Sequence, residues 1–139
     1  MSACTFLGHR QCPDEIKSVL YCQIESLIVD HGVTLFYVGN QGRFDTVARI
    51  VLREMVEKYP FVNYAVILAY LPKDTNYLEK TTLPEGIEEV PPRYAIAWRN
   101  DLMIIHSDYV IAYVTHSWGG AAKHAEKARK KIKQVILLK

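Results

Sequence analysis

Short apolar runs alternate along the chain with segments whose apolar residues recur at helical spacing. Cys4 to Leu7 reads as a first strand, Val33 to Val38 as a buried second strand and Tyr64 to Leu71 as a third, followed by Pro72. Asp108 to Val114 is too apolar for a strand with one wet face and reads as buried on both sides. Val135 to Leu138 makes a fifth strand. Between them, Ile16, Val19, Leu20, Gln23, Leu27 and Ile28 recur at helical spacing as far as Asp30. Pro13-Asp-Glu15 sets the start of that helix, its acidic residues at the positive end, and His31-Gly32 stops it. Further helices are expected from about Phe44 to Tyr59, ended by Pro60, from Ala95 to His106, and from Ala121 to Lys133. Strands alternating with helices predict an α/β fold: one three-layer domain over residues 1–139, with a mainly parallel five-stranded sheet and helices on both faces.

The region Lys73 to Pro92 breaks the pattern. It carries Pro84, Pro91, Pro92 and Gly86 among acidic residues and reads as a long loop with a short helix around Asn76 to Lys80. Loops of this length in compact domains tend to be functional.

Ligands of parallel sheets sit at the carboxyl ends of the strands. Three turns expected there are marked by glycine: Gly8-His9-Arg10, Gly39-Asn40-Gln41-Gly42, and Gly119-Gly120. Glycine lets the backbone approach a ligand closely, and the free N–H groups of a helix's first turn point at an anion. A nucleotide-like small molecule is the expected partner.

Composition narrows the classes. The 139 residues are 50% hydrophobic and 23% charged, with a formal net charge of +2. That charge is too weak to argue for nucleic acid, so no nucleic-acid partner is expected. The three cysteines, Cys4, Cys12 and Cys22, lack metal-ligand spacing. They suit a reduced, cytoplasmic chain in which Cys4 and Cys22 fill the core. Histidines at irregular spacing make no metal site, and neither a metal nor a cofactor is expected. No basic and apolar leader and no run long enough to cross a bilayer is visible, so a membrane partner is not expected either.

Within the glycine turns, individual residues carry two readings each. Arg99 is either a surface arginine or a guanidinium forking two hydrogen bonds to a phosphate, which lysine cannot do. Asp45 either caps its helix or accepts a hydrogen bond from a ribose hydroxyl and orders the Gly39–Gly42 loop. His9 and Arg10 follow the first strand directly, where a loop residue meets a ligand, and His9 is a candidate proton donor. Ser117 beside His116 lacks the third member of a triad. Trp118 stacks on a base or packs under the sheet. Lys123, in the first turn of the last helix, opposes the helix dipole unless an anion compensates it. Glu126 either faces the pocket or pairs with Lys130 one turn on. The basic run Arg129-Lys-Lys131 is a solvated helix end.

These residues also carry a family resemblance. Phe6-Leu-Gly-His-Arg10 and Gly39-Asn-Gln-Gly-Arg-Phe-Asp-Thr-Val-Ala48 resemble the first two loops of YpsA-like proteins. Arg99-Asn-Asp-Leu-Met103 is similar to the Arg-Lys-x-x-Met segment of LOG enzymes, and Trp118-Gly-Gly-Ala-Ala-Lys-His-Ala-Glu126 to their Pro-Gly-Gly-x-Gly-Thr-x-x-Glu loop. The chain thus resembles the SLOG superfamily, which joins the Smf/DprA DNA-processing proteins to LOG-type phosphoribohydrolases, and within it the small stand-alone YpsA-like members. The resemblance implies a Rossmann-like domain, nucleotide binding and, as in many relatives, a homodimer. It also implies a second activity, cleavage of the N-glycosidic bond of a nucleoside monophosphate, with Arg99 and Glu126 as the catalytic pair. Trp118, Ala122, Lys123 and Asn100 depart from the LOG pattern. Those departures favour a binding module (sensor, carrier or sequestering protein) over the hydrolase.

Overall fold

The computed structural model describes residues 2–70, 80–115, 120–130 and 134–138. Six strands form one all-parallel sheet: β1 (Ser2–Gly8), β2 (Val33–Val38), β3 (Asn63–Ile67), β4 (Thr81–Thr82), β5 (Tyr109–Tyr113) and β6 (Gln134–Leu137). Their order is β4-β3-β2-β1-β5-β6. Four α-helices connect them: α1 (Ile16–His31), α2 (Arg43–Lys58), α3 (Pro92–Ile105) and α4 (Gly120–Lys130).

The two central strands divide their side chains between two layers, as period-2 geometry requires. Cys4 and Phe6 of β1, with Ile111 and Tyr113 of β5, pack against Leu20, Ile24, Val47 and Val51 of α1 and α2. Leu7, Val110 and Ala112 face the other way and pack with Ile104 of α3 and Ala125 and Ala128 of α4. Small residues on α4 let that short helix lie close to the sheet. Glu25 ties α1 to α2 by accepting from Lys58 Nζ and, at 2.8 Å, from Tyr59 Oη.

The fold class expected from sequence is present, with one strand more than the five expected. The addition is β4, two residues that pair with Val66 and Ile67 inside the region read as a loop. Two residues carry no hydrophobic period, which is why the strand left no signal. That region also holds a 3-10 turn, Ile87–Glu89, whose Ile87 packs with Ala69 and Ala95 in a separate small core. The expected helix at Asn76–Lys80 lies outside the described residues, except Lys80, which turns with φ 62°. α3 begins three residues earlier than expected because Pro91 caps it and Pro92, at its first turn, needs no N–H partner. Cys4 is buried, but Cys22 is exposed, contrary to expectation. It follows Tyr21 on α1, whose buried stripe runs Ile16, Leu20, Ile24, Leu27, Ile28 and passes it by. No described helix is long and apolar enough to cross a membrane.

Gly8 ends β1 under the ring of Phe44, a fully buried residue in the first turn of α2. A Cβ added at Gly8 would stand 2.2 Å from Phe44 Cδ2. Gly8→Ala is therefore expected to destabilise the domain by about 1–3 kcal/mol through overpacking. Urea titration should show a lower midpoint at unchanged slope, with part of the loss recovered in Gly8→Ala/Phe44→Leu. An unchanged midpoint would show that the contact is easily relieved.

Candidate anion-binding cleft at the sheet switch point

β1 continues outward to β2 on one side, while β5 leads the other way to β6. Loops that leave two such neighbours diverge and open a crevice. Register places Gly8 beside Tyr113, so both strands end at the same height. A cleft of about 600 Å³ opens there. Its walls are the end of β1 with the following His9, Arg10 and Gln11, Gln41 from the loop after β2, Asp45 from α2, and Ile96, Arg99 and Asn100 from α3. Thr115 after β5 and Gly120 and Ala121 at the start of α4 close the circle.

Hydrogen bonds hold the rim together. The His9 amide donates to Tyr113 O at 3.3 Å, and the Thr115 amide donates to His9 Nε2 at 2.9 Å. Nε2 is thus an acceptor, which requires the ring proton on Nδ1. His9 clips the β1 and β5 loops together rather than presenting Nε2 as a proton donor. The Arg43 amide donates to Arg10 O at 2.7 Å. Gly42, at φ 90°, lets the chain turn into α2 against Arg10, whose Cα would be 2.7 Å from an added Cβ.

Arg99 is only 2% exposed. Nη1 donates to Ile67 O at 3.2 Å and to Asn40 Oδ1 at 3.4 Å, and Nε donates to Asn100 Oδ1 at 3.1 Å. This arginine spends two of its three nitrogens on the protein itself, so neither reading from sequence describes it fully: it is no surface residue and no fully free fork. Asp45 lies nearby, 7% exposed, with Oδ2 accepting the Gln41 amide at 3.0 Å. A Cβ on Gly39 would stand 2.8 Å from Asp45 Oδ2 and 2.9 Å from Arg99 Cζ. The glycines at 8 and 39 are thus demanded by the protein's own side chains, a steric reason that their sequence context did not reveal. Burial pushes the Asp45 carboxyl up to about 6, against the pull of the Gln41 amide and of the Arg99 and Arg49 guanidiniums. Burial likewise lowers Arg99, and the Asp45 charge opposes that.

On the far wall, the first turn of α4 begins at Gly120 and carries no acidic residue, and a helix start is its positive end. His124, 3% exposed, secures that turn: Nδ1 lies 2.8 Å from Gly120 O, and Nε2 lies 3.3 Å from Ala97 O of α3. Arg10 is exposed at the mouth and has no ion-pair partner among the described residues. Arg10, the start of α4 and the buried Arg99–Asp45 pair thus meet at one cleft.

Other expected site residues fall elsewhere. Gly39 is buried behind the wall, and Asn40 serves Arg99. Lys123 and Glu126 are exposed on α4 and do not line the cleft, and Glu126 accepts from Arg129 at 3.5 Å. His116, Ser117, Trp118 and Gly119 lie outside the described residues. Gln11, Thr115 and Ile96 line the cleft without having been singled out. The first two lie in the loops that leave β1 and β5, and Ile96 precedes Arg99 by one helical turn, so position alone marks them.

Together these features define a Rossmann-like α/β domain with a cleft at its switch point. Its fold is shared with DNA processing protein A from Helicobacter pylori, a protein whose structure addresses its single-stranded DNA binding mode. The two superpose with a TM-score of 0.65 at 17% identity, over 99% of this chain and 65% of that one, so this chain spans about two-thirds of that protein's length. No protein-family model and no curated protein matches the sequence. The likeness is one of fold: a Rossmann-like architecture shared with that protein. It also overturns the exclusion of nucleic acid: this architecture occurs in a protein with a single-stranded DNA binding mode. Net charge averages over the whole surface, so a value of +2 does not exclude binding at one cleft.

Because folding raises Asp45, its neutral form is the one the fold favours. The stability it contributes is present below the unfolded value of 3.8 and is lost as pH rises through about 6. Asp45→Asn keeps an oxygen for the Gln41 amide and removes the titration. The Tm of the variant minus that of the parent should therefore be larger at about pH 7.5 than at about pH 4.5. An equal difference at both would show that Asp45 does not titrate in this range.

Proposed function

We propose that this chain binds a nucleotide or nucleotide-derived phosphate in the cleft, as a sensor, carrier or sequestering module and a YpsA-like member of the SLOG superfamily. One observation carries the reading: Arg10, Arg99 and the N-terminus of α4 converge on one cleft at the sheet's switch point. A volume of about 600 Å³ suits a mononucleotide. The phosphate sits against the amides of Gly120 and Ala121 and the Arg10 guanidinium, and the base lies along Ile96. The exposed position of Glu126, salt-bridged to Arg129, supports binding over cleavage of the glycosidic bond.

A second reading is single-stranded DNA threaded along the same cationic mouth. It is favoured by the fold shared with DNA processing protein A. A backbone phosphodiester then takes the place of the terminal phosphate.

Thermal-shift and calorimetric titrations with AMP, GMP, CMP, UMP and a deoxythymidine oligomer separate the two readings. A mononucleotide should raise Tm with concentration. Arg10→Ala should weaken it about tenfold by removing a charge-assisted contact at little cost to the fold. Arg99→Ala is a poorer probe, because it strips Ile67 O of its donor. Binding of the oligomer alone would favour the second reading. Release of free base, abolished by Glu126→Ala, would refute a pure binding module.

A further inference from the structure

We propose that Asp45 selects ligands with a free 2′-hydroxyl, so that the cleft takes ribonucleotides in preference to deoxyribonucleotides. The inference rests on the mononucleotide reading above and names the ligand class within it.

Asp45 lines the cleft although it is only 7% exposed, a costly place for a carboxylate. Its two oxygens have about four acceptor positions. Among the described residues they receive one hydrogen bond, from the Gln41 amide to Oδ2. The nearby cations do not supply the rest. Arg99 donates to Ile67 O, Asn40 and Asn100. Arg49 donates to Gly39 O and Thr46 Oγ1, both at 3.3 Å. They stabilise Asp45 through space while leaving acceptor capacity facing the cleft.

The missing donor belongs to the ligand, and the surroundings restrict its kind. A phosphate is repelled by the carboxylate and is drawn instead to the α4 N-terminus and Arg10. An ammonium group is repelled by Arg99 and Arg49. A hydroxyl, neutral and a donor, suffers neither penalty. A sugar phosphate whose phosphate rests on Gly120 and Ala121 therefore turns its sugar hydroxyls to Asp45. Without the 2′-hydroxyl, Asp45 keeps the Gln41 amide but loses the donor that its remaining acceptor capacity takes from the ligand, and sites built to bond a hydroxyl reject analogues that lack it.

Calorimetry of the whole chain with AMP and 2′-deoxy-AMP, and with ribose 5-phosphate and 2-deoxyribose 5-phosphate as a base-free pair, tests this. The ribo member of each pair should bind at least about tenfold more tightly. Asp45→Asn should narrow the ratio to a few-fold. Equal affinity within both pairs would overturn the inference and leave nucleotide binding standing. Failure of all four probes to bind would overturn both. A ratio that survives in Asp45→Asn would move the selection to another residue. The parent ratio needs no variant, so the test holds even if Asp45→Asn is unstable.

Discussion

The buried guanidinium of Arg99 ties the functional end of this domain together. A charge taken out of water has to recover its hydration from fixed partners. Arg99 finds them on separate elements: the carbonyl at the end of β3, Asn40 after β2, and Asn100 beside it on α3. In doing so it docks α3 over the carboxyl ends of β2 and β3. Asp45 of α2 supplies the opposing charge, and Gly39 passes between the two with no room for a side chain. The loop after β2, the start of α2 and the middle of α3 are thereby set against one another. Burial moves both charged groups away from their ordinary values, Asp45 upward and Arg99 downward.

Around that anchor the cleft acquires a direction. One wall runs from the Arg10 guanidinium to the positive end of α4. The other holds a carboxyl group with acceptor capacity unspent. His9 and His124 act as braces, one joining the β1 and β5 loops, the other joining α3 to α4. A ligand with an anion at one end and hydroxyl donors at the other matches this polarity. Bulk charge conceals it, since +2 over 139 residues averages away a local asymmetry.

How much of this was legible varied with the range of the interaction. The alternation of apolar runs and helical spacing identified the three-layer α/β class and, among the described residues, the four α-helices and five of the six strands. β4 escaped because two threonines next to a proline-rich segment have no pattern of their own. Cys22 was misjudged because composition marks cysteine as a buried residue type, whereas its place on α1 turns it to solvent. The glycine turns pointed to the sheet edge where the cleft opens, yet Gly8 and Gly39 serve Phe44 and Arg99, partners distant in sequence.

The sequence by itself determined the layers, the crossover connections and the edge at which the cleft opens, because these follow from local periodicity and the geometry of parallel strands. Only the tertiary structure decided that Arg99 is interior, that Glu126 stands outside the cleft, and that Asp45 is a buried carboxyl instead of a surface helix cap. Burial and electrostatic environment depend on which segments fold over a residue, and that information is spread across the whole chain.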